Sequence, residues 1–198
     1  MHTCIFIGPA GSGKGTQVDL LCKKLAEADA QTPIFHLQTG QYFRSFIQGD
    51  TYAAHVARAA NAAGERQPDF LAMWIWSDVF VKNLTGQEHL IIDGSPRSLN
   101  EAQNLDIALK FFKREKPIVF YISLPPELST ERLLERAKKE GRADDTIEGI
   151  KKRAAWFEKD VLPAVNYYRR DRDYTFVEID GTQDINKVHE DIMSHLAW

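Results

Sequence analysis

The residues with the clearest chemistry stand near the start of the chain, in Gly8-Pro9-Ala10-Gly11-Ser12-Gly13-Lys14-Gly15-Thr16-Gln17. They follow the apolar run Cys4-Ile5-Phe6-Ile7 and precede Val18, Leu20, Leu21 and Leu25, which recur at helical spacing. A buried strand, a glycine-rich turn and the first turn of a helix are predicted in series. That series suits a polyphosphate. Glycines let consecutive backbone N–H groups curl around an anion, and the helix N-terminus adds partial positive charge. Lys14 supplies a mobile point charge for the outer phosphates. The spacing meets G-x-x-x-x-G-K from Gly8 to Lys14, with Gly15 intervening before the hydroxyl of Thr16. A glycine-rich turn that binds nothing is the bland alternative. The strand before it and the amphipathic helix after it favour a nucleoside triphosphate site.

A second set is cationic. Arg44 falls one turn beyond Thr39-Gly40, and Arg97 ends Asp93-Gly94-Ser95-Pro96-Arg97. Arg132 and Arg136 share a helix face, Arg142 lies in the charged turn Lys138–Asp145, and Arg153 stands near the start of the next helix. Singly, each reads as a solvated surface charge. Gathered with Lys14 at strand ends, they form the kind of set phosphoryl transfer needs, because charge spreads over several oxygens and little covalent chemistry falls to the protein. The planar fork of Arg binds phosphate through two parallel donors. Asp93, closing an apolar strand, suits a Mg²⁺ ion held through water; its competing role is a helix cap. Asp144 and Asp145 read equally well as simple charges at a helix N-terminus. His36 reads as a packed core residue, and Trp74 and Trp76 as helix packing.

These positions need a frame. Short β-branched or aromatic runs, Thr3–Ile7, Pro33–Leu37, Glu88–Ile92, Pro117–Ile122 and Tyr174–Ile179, alternate with helix-length segments. The pattern predicts an α/β fold of three layers, α/β/α, with a five-stranded parallel sheet and ligands at the carboxyl ends of its strands. Two segments depart from it. Gly40–Asp69 has helical stretches (Tyr42–Ile47, Tyr52–Ala63) with few large apolar residues, which predicts a small insert packed lightly on the core. The charged turn 138–145 is followed by a long helical segment containing Pro163, where a break or kink is expected.

At 198 residues the chain buries one substantial core. Its 25 Lys and Arg against 28 Asp and Glu give a net charge of −3, so no general bias toward nucleic acid or anionic membrane exists and each Arg must be read by position. Cys4 and Cys22 form no close pair, which argues against a zinc knuckle and for a reducing compartment. No signal peptide and no membrane-length apolar run is visible, so a cytoplasmic protein is expected.

Taken in order, Gly8–Gln17, His36-Leu37-Gln38-Thr39-Gly40 with Arg44, Asp93–Arg97, Glu131–Arg136, Gly141–Asp145 and Ile179-Asp180-Gly181-Thr182 resemble the adenylate kinase family of nucleoside monophosphate kinases over nearly the whole chain. The resemblance implies a P-loop core carrying a monophosphate-binding insert at 39–67 and a short lid at 137–143 without a zinc-bearing extension, acting as a monomer on ATP and a nucleoside monophosphate with Mg²⁺. It implies that Gly11, Ser12, Gly13, Lys14, Gly15 and Thr16 wrap the ATP phosphates, with Arg132 against the adenine, Arg136 on the phosphates and the backbone near Gln183 at the base edge. Thr39, Arg44 and Arg97 would hold the monophosphate, with Glu65, Arg66, Gln67 and Gly94 lining its pocket. Arg142 and Arg153 would close on the transferring group, so that Lys14, Arg97, Arg136, Arg142 and Arg153 carry the transfer and Asp93 serves the metal through water.

The chain departs from the family pattern at three places. Gln41 stands where Asp is usual, which removes one acceptor for metal-bound water. Ser95 stands in place of Phe, which removes an apolar contact. Glu101 stands in place of a Gln that donates to and accepts from adenine. An ionised carboxylate only accepts, so guanine, with two edge donors, competes with adenine as the acceptor base; the bland alternative is that Glu101 points to solvent. Thr39 matches the AMP-selective form. AMP is therefore the first expectation, GMP, CMP or UMP the second, and a P-loop sensor without turnover the third.

Overall fold

The computed structural model describes residues 1–140 and 146–196, without the side chain of residue 140. Five strands, β1 (Thr3–Ile7), β2 (Ile34–Gln38), β3 (His89–Asp93), β4 (Ile118–Ser123) and β5 (Thr175–Asp180), pair in parallel in the order β2-β3-β1-β4-β5. Four of them lie one residue beyond the predicted runs. At the leading edge, Pro33 and Pro117 lend only their carbonyls, to His89 N–H (2.8 Å) and Thr175 N–H (3.0 Å), because proline has no N–H to give a ladder. At the trailing edge Gln38, Asp93, Ser123 and Asp180 stay in register although they are polar.

Side chains alternate across the sheet as the pleat demands. Cys4 and Phe6 face a core shared with Val18 and Leu21 of α1 (Lys14–Ala28) and Val188 and Ile192 of α9 (Ile185–Met193). Ile5 and Ile7 face the larger core, built with α4 (Asp69–Asn83), α5 (Leu99–Phe111) and α8 (Leu162–Arg170). The helices after the adjacent strands β1 and β3, namely α1 and α5, therefore lie on opposite faces. That reversal opens a crevice at the carboxyl ends of β1 and β3, where Gly8 and Gly94 begin their turns.

Between β2 and α4, α2 (Thr39–Phe46) and α3 (Tyr52–Ala62) form a small separate core of Ile47, Ala57, Leu71 and Ile75 with Phe43 and Phe46. Leu71 and Ile75 belong to α4, so α2 and α3 pack on the rest of the protein through this small cluster. Beyond β4, α6 spans Pro126–Glu140, and α7 spans Ile147–Trp156. The break expected at Pro163 is a π-helical turn, Phe157–Val161, immediately before α8, in which the proline occupies the first turn. A wider turn there accommodates a residue that cannot donate back along the helix. Of the expected lid, 141–143 lies outside the described residues.

Candidate functional site: a cationic crevice between two strand ends

Thr3–Ile7 is fully buried, so the chain leaves β1 with no freedom until Gly8. Gly13 then takes φ 88°, a left-handed conformation that L side chains resist, and caps α1 without any side chain. The loop between them is tied down from below. Ser12 N–H donates to the Pro9 carbonyl at 3.2 Å, and Ser129 of α6 donates its hydroxyl to the Ala10 carbonyl at 2.7 Å. Lys14 curls back over the loop, its Nζ donating to the carbonyls of Gly8 (2.8 Å) and Pro9 (2.9 Å) and to Ser12 Oγ (3.3 Å). Desolvation by the surrounding protein lowers the Lys14 pKa to about 8, Asp93 opposes the shift, and Arg97 and Arg136 add to it. Asp93, Arg97 and Arg136 therefore all act electrostatically on Lys14.

Across the crevice the turn after β3 holds the second cationic group. Gly94, at φ 86°, lets the chain reverse so that Arg97 Nε donates to the Gly94 carbonyl at 2.7 Å. A β-carbon at Gly40 would stand 3.3 Å from Arg44 Nη1 and 3.8 Å from Arg97 Nη2, so both guanidinium groups border the same stretch of bare backbone. Desolvation lowers the Arg97 pKa; Glu101 and Asp93 oppose this, while Arg66 and Arg44 reinforce it. Neighbouring guanidinium groups thus disfavour one another's charge at this strand end.

The other expected positions fall unevenly. Arg66 Nη1 meets Asp69 at 2.7 Å and its Nε meets Asp160 at 3.1 Å, so this guanidinium is committed to protein carboxylates. Gln67 donates to the Ala57 carbonyl at 3.1 Å, and Glu65 is exposed. Arg132 and Arg136 lie half-buried on α6, and Arg153 Nε donates to the Gly149 carbonyl at 3.3 Å within its own helix. Gln183, in the loop after β5, donates to the Asp180 carbonyl (3.2 Å) and to Asp191 (2.9 Å). Arg142, with Asp144 and Asp145, lies outside the described residues. His36 is half-buried, not sealed in the core; burial lowers its pKa against the opposing pull of Asp93 and Asp19.

Glu101 does not point to solvent: it is 0% exposed. Its Oε2 accepts from Arg97 N–H at 2.6 Å, and its own N–H donates to Ser98 Oγ at 3.1 Å. Sequence reasoning missed this arrangement, although Ser98-Leu99-Asn100-Glu101 has the spacing of a helix capping box. It also missed Asp69, whose second oxygen accepts from Ser98 Oγ at 2.8 Å while the first holds Arg66. That pairing crosses elements far apart in the chain and leaves no local signal.

A loop built for polyphosphate and a second cationic group facing it across one switch point define a nucleotide phosphotransferase. The adenylate kinase family model matches residues 6–173. The chain is 32% identical over 194 residues to the adenylate kinase of Prochlorococcus marinus (strain AS9601), covering 98% of this chain and 97% of that one. It is 31% identical over 192 residues to the adenylate kinase of Bacteroides fragilis (strain YCH46), covering 97% and 96%. With the adenylate kinase of Leptospira biflexa (strain Patoc 1 / Ames) it shares 34% over 169 residues, covering 85% and 87%. The chain belongs to the adenylate kinase family and is a nucleoside monophosphate kinase.

Proposed function

We propose that this kinase transfers the terminal phosphoryl group of Mg-ATP to AMP, reversibly, giving two ADP. The observation that carries the reading is geometric: Lys14 curls over the loop after β1, and across the crevice Arg44 and Arg97 border the bare backbone of Gly40. Such a set is held ready for phosphate charge on both sides of a transfer. On the donor side, the backbone of Gly11–Thr16 and Lys14 take the ATP phosphates, Arg136 joins them, and Arg132 and the Gln183 loop take the base. On the acceptor side, Arg97 and Arg44 hold the monophosphate over the bare backbone of Gly40 and Gly94, with Thr39 and the 65–67 segment at its edge. The family resemblance assigns Arg142 and Arg153 to the transferring group.

The acceptor oxygen is already anionic at neutral pH, so no general base is required and alignment with charge stabilisation supplies the rate. Among the described residues no three His, Cys, Asp or Glu side chains gather as a metal cage. Asp93, which closes β3 beside Lys14, would hold a magnesium ion through water, with phosphate oxygens supplying its direct ligands. When bound, that ion neutralises phosphate charge.

The names of the relatives support AMP as the acceptor. So does Glu101. Guanine competes only by offering two donors to a free carboxylate, and here Oε2 is taken by Arg97 N–H while Oε1 is sealed from solvent. Product analysis with Mg-ATP and AMP, GMP, CMP or UMP in turn tests the reading. Rapid ADP formation with AMP alone is expected. Preferred turnover of another monophosphate would overturn AMP, and tight ATP binding without any turnover would leave a nucleotide sensor.

A further inference from the structure

Gln17 stands in the first turn of α1, directly after the phosphate loop, and is 2% exposed. Its Nε2 donates to the Ile185 carbonyl at 2.9 Å, a tie between opposite ends of the chain. Its Oε1 is buried and has no hydrogen-bond partner, so the amide serves by its donor alone. Ile185 opens α9, directly after the loop that follows β5. That loop meets the phosphate loop at a second point. A β-carbon at Gly181 would stand 2.6 Å from the Ser123 carbonyl oxygen, 2.8 Å from Ile122 Cγ2 and 3.6 Å from the Ser12 carbonyl oxygen. Only glycine lets the chain leave β5 this close to its neighbours. Between the two contacts the side chains turn back on the protein. Gln183 donates to the Asp180 carbonyl and to Asp191, while Asp184 caps α9 by accepting from the N–H groups of Asn186 and Lys187. What the loop presents at Gln183 is therefore main chain.

We propose that Gln17 is a positioning residue for the donor base: its amide ties the loop after β5 to the phosphate loop and so sets the distance between the two places where one ATP molecule is held. This rests on the reading that the Gly11–Thr16 backbone takes the ATP phosphates and the Gln183 loop takes the base. The donor nucleotide fixes the span between its phosphates and its base, so the two contacts reinforce each other only while their spacing matches it. A base held by main-chain groups depends on where the loop sits, because no long side chain adjusts to make up a displacement. Without the tie, the loop keeps its contact at Gly181 and loses the one at Ile185. The freedom it gains must then be removed when ATP binds, which weakens the base contact and leaves the phosphate contact as it was.

Calorimetry with Mg-ATP and with Mg-tripolyphosphate, which has the phosphates but no base, tests the proposal on Gln17→Met and Gln17→His, alongside KM for AMP at saturating Mg-ATP. Gln17→Met keeps the length of the side chain and loses the donor. Its Kd for Mg-ATP is expected to rise about fivefold, within the range of one neutral hydrogen bond. Its Kd for Mg-tripolyphosphate and its KM for AMP should stay as in the wild type. Gln17→His brings a ring N–H close to the place of the lost amide donor and should recover most of the ATP affinity. Should Gln17→Met fail to fold, Gly181→Ala displaces the same loop at its other contact and is expected to weaken Mg-ATP alone in the same way. An unaltered Kd for Mg-ATP, an equal weakening of Mg-ATP and Mg-tripolyphosphate, or a raised KM for AMP would overturn the proposal. Wild-type protein in which Mg-tripolyphosphate does not displace Mg-ATP, or which transfers to no monophosphate, would overturn the functional reading itself, and this inference with it.

Discussion

Lys14 holds its charge against desolvation and against two neighbouring arginines, with loop carbonyls, Ser12 Oγ and Asp93 in its favour. Its pKa of about 8 leaves it partly neutral where an ordinary lysine is fully charged. Triphosphate oxygens reverse the balance and restore the proton. ATP binding at pH 8 is therefore expected to take up about half a proton, against almost none at pH 6.5. Calorimetry in buffers of different ionisation enthalpy measures this, and Lys14→Met should abolish it. Zero uptake at pH 8 would mean that the ammonium is already fully charged in the free protein. Glu101 presents the opposite sign. Burial raises its pKa, so folding favours the protonated form, and stability is lost as pH rises through the folded value. Glu101→Gln is neutral throughout, so its melting temperature should exceed that of the wild type at pH 8, with the gap closing toward pH 4. A gap independent of pH would show that the carboxylate carries no burial penalty. Of the three departures from the family pattern, Ser95 accepts from Thr39 Oγ1 at 2.9 Å, so the polar residue at 95 has a partner that an apolar one there would not offer.

At the scale of elements, the insert contacts the rest of the protein through few polar ties. Arg66, at its C-terminal end, joins Asp69 at the start of α4 to Asp160 in the π-helical turn, and Lys152 of α7 donates to the Ala63 carbonyl at 2.9 Å. The insert is thereby tied to α7 and to the π-helical turn that follows it. The Arg66–Asp160 pair is about three-quarters buried, with side-chain exposures of 22% and 26%, so solvent screens it only in part. A double-mutant cycle of Arg66→Ala and Asp160→Asn is expected to return a coupling of about 1 kcal/mol in urea unfolding. Additive effects would mean that the insert is held by its apolar contacts alone. The π-turn supplies Asp160 to this tie, so one irregularity provides both room for Pro163 and an anchor for the insert.

For the whole molecule, the two ends of the sheet serve different purposes. The sheet, its parallel order and the crevice were legible from period and turn chemistry, because the strands are short apolar runs and the glycines follow them. The placement of Lys14, Asp93, Arg44 and Arg97 at or just beyond the carboxyl ends of strands was legible for the same reason. The ties that fix them were not: Arg66 with Asp160, and Thr39 with Ser95, pair residues far apart in sequence, and no local pattern encodes such contacts. At the amino ends of the strands Glu88 and Arg114 form an ion pair with side chains 4% and 6% exposed. Arg114 Nη1 also donates to the Glu88 carbonyl at 2.7 Å, and Glu88 accepts from the N–H groups of Thr85, Gly86 and Gln87. This lock joins the turns before β3 and β4 and lies far from the phosphate loop. Removing one partner of a buried pair strands the other, at a cost of about 3–5 kcal/mol. Arg114→Met should therefore lower the urea midpoint sharply while kcat/KM, measured on protein that remains folded, stays near the wild-type value. Arg97→Ala should do the reverse. It removes a cation crowded by Arg44 and Arg66, so the ligand-free protein is expected to be no less stable, while kcat/KM for the monophosphate falls by at least about a hundredfold. If both substitutions moved stability and turnover together, the separation of roles between the two ends of the sheet would fail.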